Sequence, residues 1–302
     1  MNKELNMKLS RKLRSESSSF LMNFSLVFVF VIPVVLIAGL SWKSAAVLSH
    51  SSLSDLLFSS EWSPMKGKFG FFPFIISSLW LTIISIIIAV PVCLSSAIHL
   101  TQYAPAKVLK IMHPVIDILA GIPSVVYGAW GVLVIVPFIR DHVSGFFGYE
   151  SSGYSLISAA FVLAVMIIPF ILNLMIEVIR IIPSELLESA LSLGAAKWQA
   201  IRKVILKKAL PGLVSAVGLG ISRAFGETMA VLMVAGNMVK IPEHLFDASY
   251  PLPALIANNY GEMLTIPMYD SALMFAALIL LTVVLIFNLL SRQLITKFEN
   301  YR

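Results

Sequence analysis

Apolar residues in this chain come in six long runs, roughly 20–40, 71–98, 114–139, 155–179, 210–236 and 271–291. Each provides the about 20 helical residues that a hydrocarbon core of ~30 Å demands, so the pattern predicts six membrane-spanning helices. An even number of crossings returns both chain ends to one side. Lysine and arginine decide which side, because cytoplasmic segments accumulate them. They crowd the start (Lys3, Lys8, Arg11, Lys12, Arg14), the 99–113 connection (Lys107, Lys110), the 180–209 connection (Arg180, Lys197, Arg202, Lys203, Lys207, Lys208) and the end (Arg292, Lys297, Arg302). The opposite side holds only Lys43, Lys66, Lys68, Arg140 and Lys240. Both termini are therefore expected in the cytoplasm. The expected organisation is a basic tail over 1–19, a first helix over 20–40, a core over 71–291 with an inner loop at 180–209 and an external loop at 237–270, and a short tail over 292–302. The first run exceeds the 7–15 residues of a signal-peptide core and no small-x-small cleavage site follows it, so it is expected to remain as a span.

Composition narrows the class further. The chain is 58% hydrophobic and only 13% charged, against about 25% charged in soluble domains, which makes the bilayer its solvent. A net charge of +6 would suit nucleic acid if the basic residues formed one patch. They are instead spread over the segments that flank the spans, and topology accounts for them without nucleic acid. Cys93 is the sole cysteine, and His50, His99, His113, His142 and His244 lack the spacing of a metal-binding helix or finger. No disulfide framework and no metal site is expected.

Three stretches carry candidate chemistry. In the third run, Gly121 and Pro123 sit inside "VIDILAGIPSVVYGAWG". Proline frees a backbone carbonyl that only neighbouring protein or a wet cavity can satisfy, so a helix bent beside a pathway is one reading and small-residue helix packing the other. Asp117 suits the start of that helix. In the fifth run, "SRAFGETMAV" puts Arg223 and Glu227 four residues apart, on one helical face and deep in the membrane. Charges at that depth cost about 2.5–3.5 kcal/mol each, so they should face the protein interior and have partners. They form either an ion pair that fixes helix register or a site for an anion, to which a guanidinium can donate two parallel hydrogen bonds. Small residues flank them in two lanes, Gly218, Ser222, Gly226, Ala230 and Ala216, Gly220, Ala224, which suits close helix approach. Glu177 is expected to reach cytoplasmic water beside Arg180. In the 180–209 loop, Pro183 and Ser184 open a helix with Glu185 and Glu188 in its first turns, and Gly194 can close it. A second helix follows with Trp198, Ile201, Val204 and Ile205 on one face. By physics alone this is an amphipathic pair on the inner leaflet.

Glu188, Ser189, Ala190 and Gly194 resemble the start of the Glu-Ala-Ala loop of membrane subunits of ATP-binding-cassette (ABC) importers, with the departure that Lys207 stands where the family pattern has proline. "AGIPSVVYG" (120–128), "SRAFGETMAV" (222–231) and "AGNM" with "IPEHLFD" (235–247) further resemble phosphate-specific permeases of the PstC type. The similarity runs through nearly all of the chain after residue 60. The resemblance implies an all-α integral membrane protein of six transmembrane helices with the type I ABC importer permease fold, in the inner membrane. It implies that residues 188–190 and 194 couple to an ATPase, that Arg223 and Glu227 lie on the substrate pathway, and that the substrate is inorganic phosphate. The implied partners are a second permease chain, a dimer of ATP-binding subunits and an external phosphate-binding protein. No Gly-x-x-x-x-Gly-Lys-Ser/Thr loop is present, so ATP and Mg are expected on the partner ATPase and no cofactor on this chain. Sulfate, molybdate and phosphonate remain open as substrates, because arginine does not separate these tetrahedral groups strongly. A membrane-embedded enzyme would need a nucleophile or metal motif that the spans lack, and a passive anion channel would need rings of like charge or a polar filter.

Overall fold

The computed structural model describes residues 2–263 and 266–300, with side chains described for 18–263, 266–293 and 296. Among the described residues six helices are long and apolar enough to cross a membrane. The first, α1 (Asn2–His50), carries the initial apolar run with its large side chains exposed. It lies along the last helix and is fixed at its far end, where the Val47 N–H donates to Ser271 Oγ (3.1 Å) and Lys43 faces Asp270 (3.7 Å). The side chains of the 1–19 tail lie largely outside the described residues. A short helix α2 (Leu53–Phe58) and a two-residue hairpin, β1 (Trp62–Ser63) with β2 (Lys68–Phe69), then form a small cap. Its apolar filling is aromatic: Trp62 packs edge-on against Phe69, Phe71 and Phe74, and Tyr250, Tyr269 and Phe275 complete the cluster.

The bundle proper is built on α3 (Phe72–Tyr103) and α6 (Leu156–Arg180), which pack along their lengths. With almost no polar surface to spare, they are joined by hydroxyl and thiol donors to backbone carbonyls, Ser85 Oγ to Ala160 O (3.0 Å) and Cys93 Sγ to Ile168 O (3.4 Å). α6 is the centre of the core. Some 67% of its most apolar stretch is buried, against 0% for that of α1. Its N-terminal N–H groups, which a helix cannot satisfy internally, bond the carbonyls of Leu245 and Asp247 from a distant loop.

The third run departs from the expected 114–139 span. It divides into α4 (Ala106–Gly121) and the true third span α5 (Ser124–Ser144). Ile122 is extended (φ −64°, ψ 129°) because the residue before a proline is pushed out of the helical region, and Pro123 is extended too (ψ 140°). The bend expected at Gly121 and Pro123 is thus a complete break. Asp117 lies in the last turns of α4, so the role of favouring a helix start does not apply to it.

After α6, α7 (Ser184–Ser192) projects from the bundle. The next helix begins at Lys197 and runs without interruption to Gly226 as α8, through a π-turn at Ile201–Ile205 that keeps both Ile201 and Ile205 buried. The second member of the expected surface pair is therefore the start of the fifth span, which opens earlier than residue 210. α8 packs against α6 and α11 (Tyr269–Asn300) through its small residues. A Cβ on Gly220 would stand 2.5 Å from Ile171 Cδ1, and one on Gly218 2.7 Å from Ser291 Oγ. α9 (Met229–Val234) and α10 (Leu252–Asn259) lie between α8 and α11, so the 237–270 loop is partly helical.

Candidate functional site

The deep charges sit at a second break. α8 ends at Gly226, Glu227 is extended (φ −72°, ψ 129°), and α9 restarts the helix at Met229. The Arg223–Glu227 ion pair, one of the two readings that the spacing left open, does not form. Each charge instead serves the helix end beside it. Arg223 occupies the last turn of α8, where the macrodipole favours a cation, and the Glu227 carboxylate accepts from the Ala230 N–H (3.4 Å) at the start of α9, where an acid is favoured. Contrary to the expectation that both charges turn inward to partners, Arg223 is exposed and Glu227 half-buried. The Arg223 guanidinium makes no hydrogen bond and no ion pair with any described residue. Its Cζ lies over the ring of Phe170 on α6, 4.7 Å from the centroid.

The two breaks are neighbours. α5 packs on α9 so closely that a Cβ on Gly128 would meet Met233 Sδ at 2.6 Å and Ala230 Cα at 3.1 Å. Tyr127, one turn past the first break, donates its hydroxyl to Leu119 O across it (2.9 Å). Helix interruptions of this kind are tolerated at membrane depth where protein or water meets the freed backbone groups.

From Arg223 a polar stripe continues along one face of α6 towards the α7 end. Positions 170, 173, 177 and 180 share that face. Asn173 Nδ2 donates to Asp117 Oδ1 (3.3 Å), Arg180 meets His113 Nε2 (3.2 Å), and Glu177 faces Arg180 (3.5 Å). Asp117 and His113 both come from α4. The residues that spacing singled out, Arg223 and Asp117, are thereby joined by Phe170, Asn173, Tyr127 and His113, which it did not. An aromatic or an amide inside an apolar run leaves hydropathy almost unchanged, and only the three-residue step from 170 to 173 hints that they share a face.

At the α7 end, Pro183 caps the helix and Ser184 opens it. Ser189 and Ser192 hydroxyls bond the carbonyls of Glu185 and Glu188 (2.6 and 2.9 Å), and the Ala195 N–H closes the helix on Ala190 O (3.2 Å). That closure needs Gly194 at φ +84°, a left-handed value. Glu188, Ser189 and Gly194 are exposed and Ala190 is half-buried. Leu193, at the tip, is 89% exposed, an apolar side chain that no described residue covers. At the opposite end of the bundle a cleft of 640 Å³ opens between the end of α5 and residues 242–246, lined by Trp80, Phe147, Tyr149, Glu243, His244 and Phe246 among others. Among the described residues no cluster of His, Cys, Asp or Glu is arranged to hold a metal ion.

The chain as a whole has relatives. The chain is 35% identical over 293 residues to the phosphate transport system permease protein PstC of Pasteurella multocida, covering 91% of this chain and 90% of that protein. It is 38% identical to the probable ABC transporter permease protein YqgH of Bacillus subtilis, covering 87% and 84%. Against the probable PstC of Methanocaldococcus jannaschii the identity is 31%, over 94% and 95%. Its fold resembles a subunit of the MetNI methionine ABC transporter in an inward-facing conformation, with a TM-score of 0.57, 23% identity, and coverage of 74% of this chain and 93% of that one. Residues 89–300 match the family of binding-protein-dependent transport system inner membrane components, and with six spans built around two broken helices the chain belongs to that family of multi-pass permeases.

Proposed function

We propose that this chain is one of two permease chains of an ATP-driven phosphate importer, with the anion passing Arg223 at the seam between them. One observation carries the reading: a guanidinium in the last turn of the fifth span, over a ring midway along α6, is exposed and meets no acceptor among the described residues. Leaving it against lipid costs about 2.5–3.5 kcal/mol on insertion scales. A second permease chain that covers this face and encloses a wet path removes that cost. The named phosphate permeases among its relatives support phosphate as the substrate, and the five donors of an arginine suit its oxygens. Glu227, already engaged at the start of α9, limits how tightly an anion is held, so that the ion leaves.

Both termini and α7 face the cytoplasm in this proposal. The exposed tip of α7, with Glu188, Ser189, Ala190 and Leu193, fits into an ATP-binding subunit that carries ATP and Mg, one copy for each permease chain. The cleft at the opposite end receives an external phosphate-binding protein. Closure of the ATPase pair pulls on α7 and switches access from one side of the seam to the other.

The test is phosphate uptake by the assembled transporter with Arg223→Ala and Arg223→Lys, assembly being measured separately by co-purification. Arg223→Ala abolishes uptake, and Arg223→Lys keeps a fraction of it, because an ammonium keeps the charge and loses the planar fork of donors. Wild-type uptake by the alanine variant removes Arg223 from the path. Uptake without ATP overturns the importer, and equal competition by sulfate or molybdate overturns phosphate as the substrate.

A further inference from the structure

We infer that Phe170 is the platform that positions Arg223 for the anion. This rests on the placement of Arg223 in the path and adds a residue that does not itself touch the substrate. A long, flexible arginine side chain exposed to a wet seam needs something to hold it, and the choice of holder decides what it can still do. A carboxylate would occupy its N–H donors and cancel its charge. An aromatic ring under Cζ attracts the cation through the ring's quadrupole and accepts none of the N–H bonds in the way an oxygen does. In this structure the ring of Phe170 lies 4.7 Å from Cζ, while the one acid near in sequence, Glu227, is engaged with the Ala230 N–H on the far side of the helix break.

The platform is rigid because of where it stands. Phe170 is half-buried, between fully buried Ile167 and Ile171 on α6, the helix with the largest buried share in the bundle. Arg223 is on α8, which packs directly on α6. The ring thus fixes the guanidinium relative to the core and leaves its charge and donors turned to the seam. It also begins the polar stripe of Asn173, Glu177 and Arg180, so the ring sets where on that stripe an anion is first met.

The experiment compares Phe170→Leu, Phe170→Met and Phe170→Tyr in the full transporter with its binding protein, measuring phosphate uptake against phosphate concentration and normalising to co-purified complex. Loss of the ring lowers the maximal rate by about three- to ten-fold, the size expected of a cation–π contact. The half-saturating concentration, set by capture on the binding protein, stays unchanged. Phe170→Tyr keeps the ring and restores the rate to within about two-fold. Methionine fills the same space flexibly, so it supplies the ring-free reading if the leucine variant fails to assemble. Equal impairment of the tyrosine and the ring-free variants overturns the platform, since packing alone would then explain the loss. Wild-type rates in the ring-free variants, alongside an inactive Arg223→Ala, overturn the platform and leave the pathway assignment standing. A fully active Arg223→Ala overturns both.

Discussion

Gly194→Ala isolates the conformation of the α7 tip from its contacts. Gly194 sits at φ +84°, and a Cβ built there meets nothing within 4 Å. Any effect of the new methyl is therefore a backbone effect. An L-residue in the left-handed region costs about 1–2 kcal/mol. The helix end is held by three backbone hydrogen bonds, Leu193 N–H to Ser189 O (3.2 Å), Gly194 N–H to Leu191 O (2.9 Å) and Ala195 N–H to Ala190 O (3.2 Å). With so little to enforce the geometry, the cost falls on the population of the closed turn, which drops by about 5- to 30-fold. Gly194→Asn loses less, because asparagine tolerates this region better than other side chains. The assay is phosphate-stimulated ATP hydrolysis by the proposed importer, reconstituted with the ATPase and binding protein that the proposal assigns to it. Stimulation falls in the order glycine, asparagine, alanine, while thermal stability of the isolated permease stays unchanged. Wild-type stimulation in the alanine variant would show that the left-handed turn has no part in coupling.

Two further outcomes follow from packing and charge. Gly220→Ala forces a methyl to 2.5 Å from the fully buried Ile171 and costs about 1–3 kcal/mol of bundle stability, whereas Gly226→Ala meets nothing within 4 Å and leaves it unchanged; aggregation on heating in detergent reads the difference. Burial pushes the Asp247 carboxyl up, but N–H donors from His244 and Glu243 and the charges of Lys240 and His244 outweigh it and hold the group below its ordinary value of 3.8. A depressed carboxylate pKa contributes stability that is present above the unfolded value and lost as pH falls through the folded one. The protection factor for hydrogen exchange over residues 240–249, the intrinsic rate at each pH divided by the observed one, is accordingly flat from about pH 5 upward, falls only below the ordinary carboxylate range, and loses that acid dependence in Asp247→Asn.

The six crossings were legible because lipid imposes one rule, a long apolar run, on every span. The start and stop of α7 were legible too, since Pro183 and Gly194 act through their own backbones. The two helix breaks were not. At 122–123 the apolar run continues through the interruption, and at 226–228 it resumes beyond a single acid and a threonine, so hydropathy, which counts side chains, does not register a break that is a backbone event. Pro123 was visible, yet a proline inside a run bends some helices and divides others, and the pattern of apolar residues does not say which; here Tyr127 bonds Leu119 O across the break. The Arg223–Glu227 spacing suggested a pair only on the premise of a continuous helix. Once Glu227 became extended, the two charges were free to serve different helix ends, and the arginine found a ring from another span that no local pattern announces.

α6 has α3, α4, α5, α8 and α9 around it. A rod enclosed by close-packed side chains cannot slide or spin without opening voids along its length. In the proposed importer it is the stator of this chain. Alternation in that importer between the two faces of the membrane then requires each permease chain to rock as one piece about the seam, carrying Arg223 with it.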